Sequence, residues 1–232
     1  RMKTQSLKKS RSEYRTLVGR NLEHTFVKGE PATDETFDAI QKLKALRPLP
    51  FPDTPPADAA IILHISMYCN KSFPVRIFHA LSSKDGINSH AVFFKNNFTN
   101  AHIPVSDHEL TLLTSLIEQI NPDAITFSVL APYVVETRRA VAAIREVSEA
   151  PIIIGGKYPT IVPHEALEFV DYACKGEGEL VMLRVQERLR QGKNFHGIRG
   201  LWHKDDEDNI VDMGQEHLYQ ELDDIPFPAI GE

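Results

Sequence analysis

From residue 58 onward, apolar and polar positions alternate between two periods. Ile61, Ile62, Leu63 and Ile65 form a short run rich in β-branched residues; a loop from Ser66 to Phe73 and a helical stretch from Pro74 to Lys84 follow, stopping at Gly86. That order predicts strand, loop, helix. Ala91 to Phe94 predicts a second strand. Ser106, Asp107, His108 and Glu109 read as a capping box, in which the hydroxyl accepts from the Glu109 backbone N–H while the carboxylate reaches back. The helix it starts carries Leu113, Leu116, Ile117 and Ile120 on one face and ends at Asn121-Pro122. A third strand is expected at Ala124 to Val129, and a third helix at Glu136 to Glu149 with Val141, Ile144 and Val147 inward. Pro151 to Ile154 predicts a fourth strand running into Gly155-Gly156. A short helix around Pro163 to Phe169, a fifth strand at Tyr172 to Cys174 and a helix from Glu179 to Arg190 complete the series.

Strands alternating with helices imply an α/β fold, a doubly wound five-stranded parallel sheet, because parallel neighbours need crossovers and these are right-handed. Runs such as IILHI and PIII suit strands buried on both faces. Further on, Gly200 to Lys204 and Asn209 to Met213, split by the acidic turn Asp205 to Asp208, predict a β-hairpin. The tail Leu222 to Pro228 reads as a proline-rich exit without a partner. Residues 1–57 form an extension of another kind. Phe37, Ile40, Leu43 and Leu46 mark one apolar helical stripe that should dock on a neighbouring surface, and RPLPFPDTPP, with five prolines in ten residues, reads as a stiff linker. The expected division is therefore 1–57 for the helical extension and linker, 58–194 for the α/β domain, and 195–232 for the hairpin and exit.

Composition narrows the partners. With 26 Lys and Arg against 32 Asp and Glu, the net charge is −6, so no broad basic face for nucleic acid is expected; the basic residues at the start (Lys3, Lys8, Lys9, Arg11, Arg15, Arg20) read as a solvated tail. No apolar run reaches the ~18 residues of a membrane span. Two cysteines, Cys69 and Cys174, exclude a disulfide framework and point to a cytoplasmic, reducing setting. Histidines are scattered without metal-ligand spacing: His102 and His108 are expected at solvent, and His64 within a strand.

Ligands in open α/β sheets bind outside the carboxyl ends of the strands, where strand order reverses. That rule selects four loops. After strand one comes SMYCNKS, which has no glycine and so is no dinucleotide fingerprint. After strand three, Ser128 presents a hydroxyl to the crevice; after strand four, Gly155-Gly156 allows close approach to backbone. After strand five, Gly176-Glu177-Gly178-Glu179 precedes a helix N-terminus, and its two acids argue against phosphate. No catalytic constellation accompanies these loops. The pattern is that of a chain that holds a ligand.

Taken together, in this order, the loops from about Ile61 to Pro228 resemble the cobalamin-binding domain found at the N-terminus of many radical SAM enzymes, a flavodoxin-like or Rossmann-like fold. That family carries S-x-T or S-x-L after strand three and Gly-Gly about two dozen residues later; here Ser128-Val129-Leu130 is followed by Gly155-Gly156 at that spacing. GGKYPT and GEGE are similar to the family's run after strands four and five, and GLWHKDDEDNIVDMG with LDDIPFP to the hairpin and exit that lead toward the radical SAM barrel. The resemblance implies that Ser128, Val129 and Leu130 line the detached nucleotide tail of cobalamin. It implies that Gly155 and Gly156, followed by Tyr158 and Thr160, let the tail pass. Gly176, Glu177, Gly178 and Glu179 would close its far end. On this expectation, leucine at Gly156 blocks the tail and leaves the fold intact.

Two departures qualify what the resemblance implies. The D-x-H-x-x-G element that supplies a cobalt-ligating histidine after strand one is absent from SMYCNKS, so base-off cobalamin held without a protein histidine is expected. The three-cysteine motif of a radical SAM core is also absent, so the 4Fe-4S cluster and S-adenosylmethionine belong to a catalytic domain elsewhere, in cis or as a separate chain. The alternatives are a degenerate docking domain that binds no cofactor, with Lys157 and Tyr158 plugging the slot, and a site for another nucleotide-tailed ligand.

Overall fold

The computed structural model describes residues 32–52, 54–95 and 103–229; the basic start of the chain and His102 lie outside them. Seven strands form one sheet in the order β2-β1-β3-β4-β5-β6-β7: β1 (Ile61–Met67), β2 (Asn88–Phe94), β3 (Ala124–Ser128), β4 (Ile152–Gly155), β5 (Tyr172–Cys174), β6 (Leu201–Lys204) and β7 (Ile210–Val211). The first five run parallel. The predicted hairpin does more than stand beside the domain: β6 pairs antiparallel with β5, Cys174 opposite Leu201, and extends the sheet by two strands. Nothing local in the hairpin sequence names the edge it joins.

The strand order reverses between β1 and β3, so the crossover helices divide between the faces. One face is covered by α3 (Asp107–Ile120), α4 (Val134–Arg145) and the short α5 (Lys157–Ile161) and α6 (Pro163–Ala166). The other is covered by α2 (Phe73–Lys84) and α7 (Glu179–Arg190), with α1 (Asp34–Leu46) packed outside α7. The capping box is formed: Ser106 Oγ accepts from the Glu109 N–H at 3.3 Å and the Glu109 carboxylate accepts from the Ser106 N–H at 2.8 Å. Asn121 closes α3 in the left-handed region at φ 47°, where asparagine is tolerated better than most residues.

Three expectations are corrected. Phe37 does not share the apolar stripe of α1; it is 56 % exposed, whereas Ile40, Leu43 and Leu46 are buried together with Thr36 and Ala39. Steps of three residues fall back by about 60° each on a helix of 3.6 residues per turn, so Phe37 and Leu46 end on opposite sides. Val147 is likewise exposed, because α4 ends at Arg145. The exit segment also has partners. Ile225 packs on the second-face core, Asp224 lies 3.7 Å from Lys44, and the Ala229 N–H donates to the Arg76 carbonyl of α2 at 3.2 Å.

His64, inside β1, is buried on the second face and shares hydrogen bonds with the hydroxyls of Thr126 (2.7 Å) and Ser82 (3.2 Å); the Gln186 amide donates to Ser82 at 2.8 Å. Burial, with a smaller contribution from His79, pushes its pKa from 6.5 down to about 3. The unfolded chain therefore binds a proton between those values that the folded chain refuses. Stability from this group is complete above pH 6.5 and is lost as pH falls toward 3. Thermal melts from pH 7 to pH 4 should fall steeply, and His64→Gln should flatten the slope. Equal slopes would remove His64 as the cause.

Candidate functional site

The site is built by strand register. Ser66, Ser128 and Gly155 lie side by side at the ends of β1, β3 and β4. Beyond them the chain locks through backbone: the Val129 N–H donates to the Gly155 carbonyl at 2.9 Å and the Tyr158 N–H to the Val129 carbonyl at 3.4 Å. Gly156 makes the turn between with φ 102° and ψ −168°, a region essentially restricted to glycine. A Cβ there would sit 2.7 Å from the Val129 carbonyl oxygen. The two glycines thus differ. At Gly155 a Cβ would meet Cys174 Cβ and the Phe127 carbonyl oxygen only at 3.9 Å, ordinary contact distance.

Thr160 joins the loops after β4 and β5: its hydroxyl donates to the Gly156 carbonyl at 2.8 Å and accepts from the Gly176 N–H at 3.1 Å. Gly176, at φ 91°, lies beneath the side chain of Gln215, and Gly178 lies against the ring of Phe78. These loops frame a narrow cavity of about 90 Å3 on the second face. Ser128, Gly155 and Gly176 to Glu179 line it at the strand ends, Thr126 and Ile153 from the sheet. Helices supply the remaining walls, Val75 and Phe78 from α2, and Val181, Met182 and Val185 from α7.

Of the expected site residues, Ser128, Gly155, Gly156 and the four residues of the Gly176–Glu179 loop meet at this cavity. Val129 contributes its backbone, while its side chain is buried on the first face. Leu130 is exposed at the carboxyl end of the sheet. Tyr158 is buried among the first-face core, its hydroxyl 3.5 Å from Glu165, so neither it nor the exposed Lys157 plugs the slot. The helix walls had no motif to announce them, because which helical face meets the sheet is decided by packing.

The electrostatics suit a neutral interior. Burial, aided by the nearby carboxylates of Glu179, Glu177 and Glu216, pushes the Cys174 thiol up to about 12, so it stays protonated. Burial raises Glu179 as well, with Glu177 adding to it. A wider cleft of about 740 Å3 opens at the amino ends of the strands, between Asp58, Asp123 and Arg190. Its Asp123 carboxylate is already engaged by the Ile61 N–H at 2.7 Å, and none of the strand-end loops reaches it. The small cavity, where those loops converge, is the functional candidate.

An open sheet with this strand order, with a largely apolar slot at its carboxyl end, places the chain in the flavodoxin-like fold class. Residues 86–186 match the model of the B12 binding domain family. Among curated proteins, the chain is 22 % identical over 121 residues to the uncharacterized methyltransferase PH0819 of Pyrococcus horikoshii, covering 50 % of this chain and 26 % of that protein. Among solved structures, it is similar to the radical S-adenosylmethionine methyltransferase TsrM from Kitasatospora setae with cobalamin and a [4Fe-4S] cluster bound: TM-score 0.57, 18 % identity, 74 % of this chain and 31 % of that one. It is similar also to the cobalamin-dependent S-adenosylmethionine radical enzyme OxsB with aqua-cobalamin and S-adenosylmethionine bound, at TM-score 0.60 and 12 % identity, over 74 % of this chain and 24 % of OxsB. At these identities the likeness establishes the shared fold. The chain spans a quarter to a third of the length of these relatives. Among the described residues no helix is long and apolar enough to cross a membrane.

Proposed function

We propose that this chain holds cobalamin in the base-off state, without a histidine from the protein on cobalt, as the cofactor-binding part of a cytoplasmic radical SAM enzyme. The observation that carries the reading is the slot at the ends of β3, β4 and β5, reached past Gly155, where a Cβ would make only ordinary contacts at 3.9 Å and the missing side chain leaves the way clear. The B12 binding match over residues 86–186 supports it. Cobalamin, when bound, supplies organometallic chemistry at cobalt, including methyl transfer. The chain's own residues bind and orient. Apolar walls from Val75, Val181 and Val185 suit the aromatic base of the nucleotide tail, and Ser128 offers a hydroxyl at the slot's edge. Exposed Phe73, Leu130 and Ile161 at the carboxyl end of the sheet provide apolar surface beside the site. The loop after β1 presents Cys69 and Asn70 and no histidine. The iron–sulfur cluster and S-adenosylmethionine would be held by a catalytic domain outside these residues, reached in cis or as a separate chain.

The test is direct. Purified chain mixed with hydroxocobalamin and desalted should retain the corrinoid, seen in its visible spectrum; absence of retained colour would refute the reading. One observation favours a second reading, a docking domain of a radical SAM protein that holds no cofactor: a cavity of about 90 Å3 is smaller than a two-ring base. The same spectrum separates the two.

A further inference from the structure

We propose that Phe78 gates this slot and determines what enters it, an inference that rests on the reading of the slot as the seat of a nucleotide tail. The cavity's ~90 Å3 falls short of the ~150 Å3 of an apolar cavity that admits benzene, so a benzimidazole-sized base requires a wall to move. Most walls cannot. Gly155, Ser128 and Ile153 belong to paired strands, and Val75, Val181 and Val185 are β-branched residues on helices, held close to one rotamer.

Phe78 is different. It projects from α2, is only partly buried, and lines the cavity with its ring tip beside Gly178; a Cβ on Gly178 would lie 2.6 Å from Phe78 Cζ. Gly178 is at φ −101°, which any residue can adopt, so the absence of a side chain there is accounted for by the ring that rests on it. On the inner side the ring faces His64, at 6.1 Å between centroids, whose nitrogens are already occupied by Thr126 and Ser82. The first turn of α2 has no side-chain cap from Ser72; it is anchored instead through Arg76, whose guanidinium donates to the Asn70 and Ala229 carbonyls at 3.1 and 2.9 Å, so the backbone of α2 stays in place while the Phe78 side chain turns. Rotation of Phe78 about χ1 to its other helical rotamer lifts the ring from Gly178 and adds its volume to the slot.

The gate acts on the tail and not on the corrin, and that separates it from every general effect on binding. Association of hydroxocobalamin and of cobinamide, which has the corrin but no nucleotide base, can be followed by quenching of Trp202, the chain's single tryptophan. Phe78→Ala should speed hydroxocobalamin association about tenfold, as expected for removing a barrier of about 1.4 kcal/mol, and leave cobinamide unchanged. Phe78→Leu, which keeps more of the apolar packing, should fall between, and Phe37→Ala, which removes an exposed ring on α1 outside the slot, should do nothing. Binding by the unaltered chain with no acceleration in Phe78→Ala, or equal acceleration of both corrinoids, overturns the gate alone. Failure of the unaltered chain and of both Phe78 variants to bind hydroxocobalamin overturns the reading of the slot itself. Binding by Phe78→Ala only would support the gate in its strongest form.

Discussion

Leucine in place of Gly155 is expected to abolish retention of hydroxocobalamin with little loss of stability, while alanine at the adjacent Gly156 is expected to destabilise the fold by about 3 kcal/mol. The asymmetry follows from what each missing side chain would meet. At Gly155 a Cβ has ordinary contacts at 3.9 Å and stands on the same face of β4 as Ile153, so the branches of leucine extend into the cavity of about 90 Å3. At Gly156 the backbone adopts a glycine-only conformation and a Cβ would strike the Val129 carbonyl at 2.7 Å. The opposing group is backbone and cannot rotate away. This reverses the expectation that Gly156→Leu blocks the tail without disturbing the fold. Denaturant midpoints and desalted visible spectra of Gly155→Leu and Gly156→Ala check both halves. Retention by Gly155→Leu equal to that of the unaltered chain would move the tail elsewhere.

The same pair shows how far the sequence carries. A double glycine at a strand end announces a place where backbone must come close to something, and the strand–helix alternation identifies which end of the sheet holds it. What the second glycine approaches is Val129, nearly thirty residues earlier; the pattern gives no sign that one glycine serves the turn and the other the slot. Thr160 is a comparable case. In the sequence it is one residue of the run GGKYPT, and in the structure it ties Gly156 to Gly176 by two hydrogen bonds. Phe78 carries no sequence signal of its own, since in α2 it is one apolar residue among several. Only packing against Gly178 distinguishes it. Phe37 shows the converse, because three-residue spacing looks regular in sequence and drifts around the helix, and Val147 lies past the end of α4 at Arg145, a boundary the apolar spacing does not mark.

Glu216→Ala is expected to cost about 3–5 kcal/mol, the effect of leaving a buried charge without its partner. Glu216 and Arg184 form an ion pair with both side chains almost fully buried. Thr36 completes the group: its hydroxyl donates to Glu216 at 3.0 Å, and Arg184 Nη2 donates to that hydroxyl at 3.3 Å. Three distant segments, α1, α7 and the strap after β7, therefore meet at one polar point inside an otherwise apolar packing of Ile40, Leu43 and Leu183. Removing the carboxylate strands the guanidinium; removing both charges, as in Arg184→Met with Glu216→Leu, should recover most of the loss or more, because two paired ions are costly to desolvate. A double-mutant cycle in denaturant midpoints measures the difference, and purely additive losses would reject the pair as the cause. The consequence reaches the slot. Gln215, the neighbour of Glu216, lies on Gly176 at the slot's edge, so Glu216→Ala should also speed amide exchange across 214–218 and weaken corrinoid retention, while the double apolar replacement, which keeps the strap docked, should preserve it.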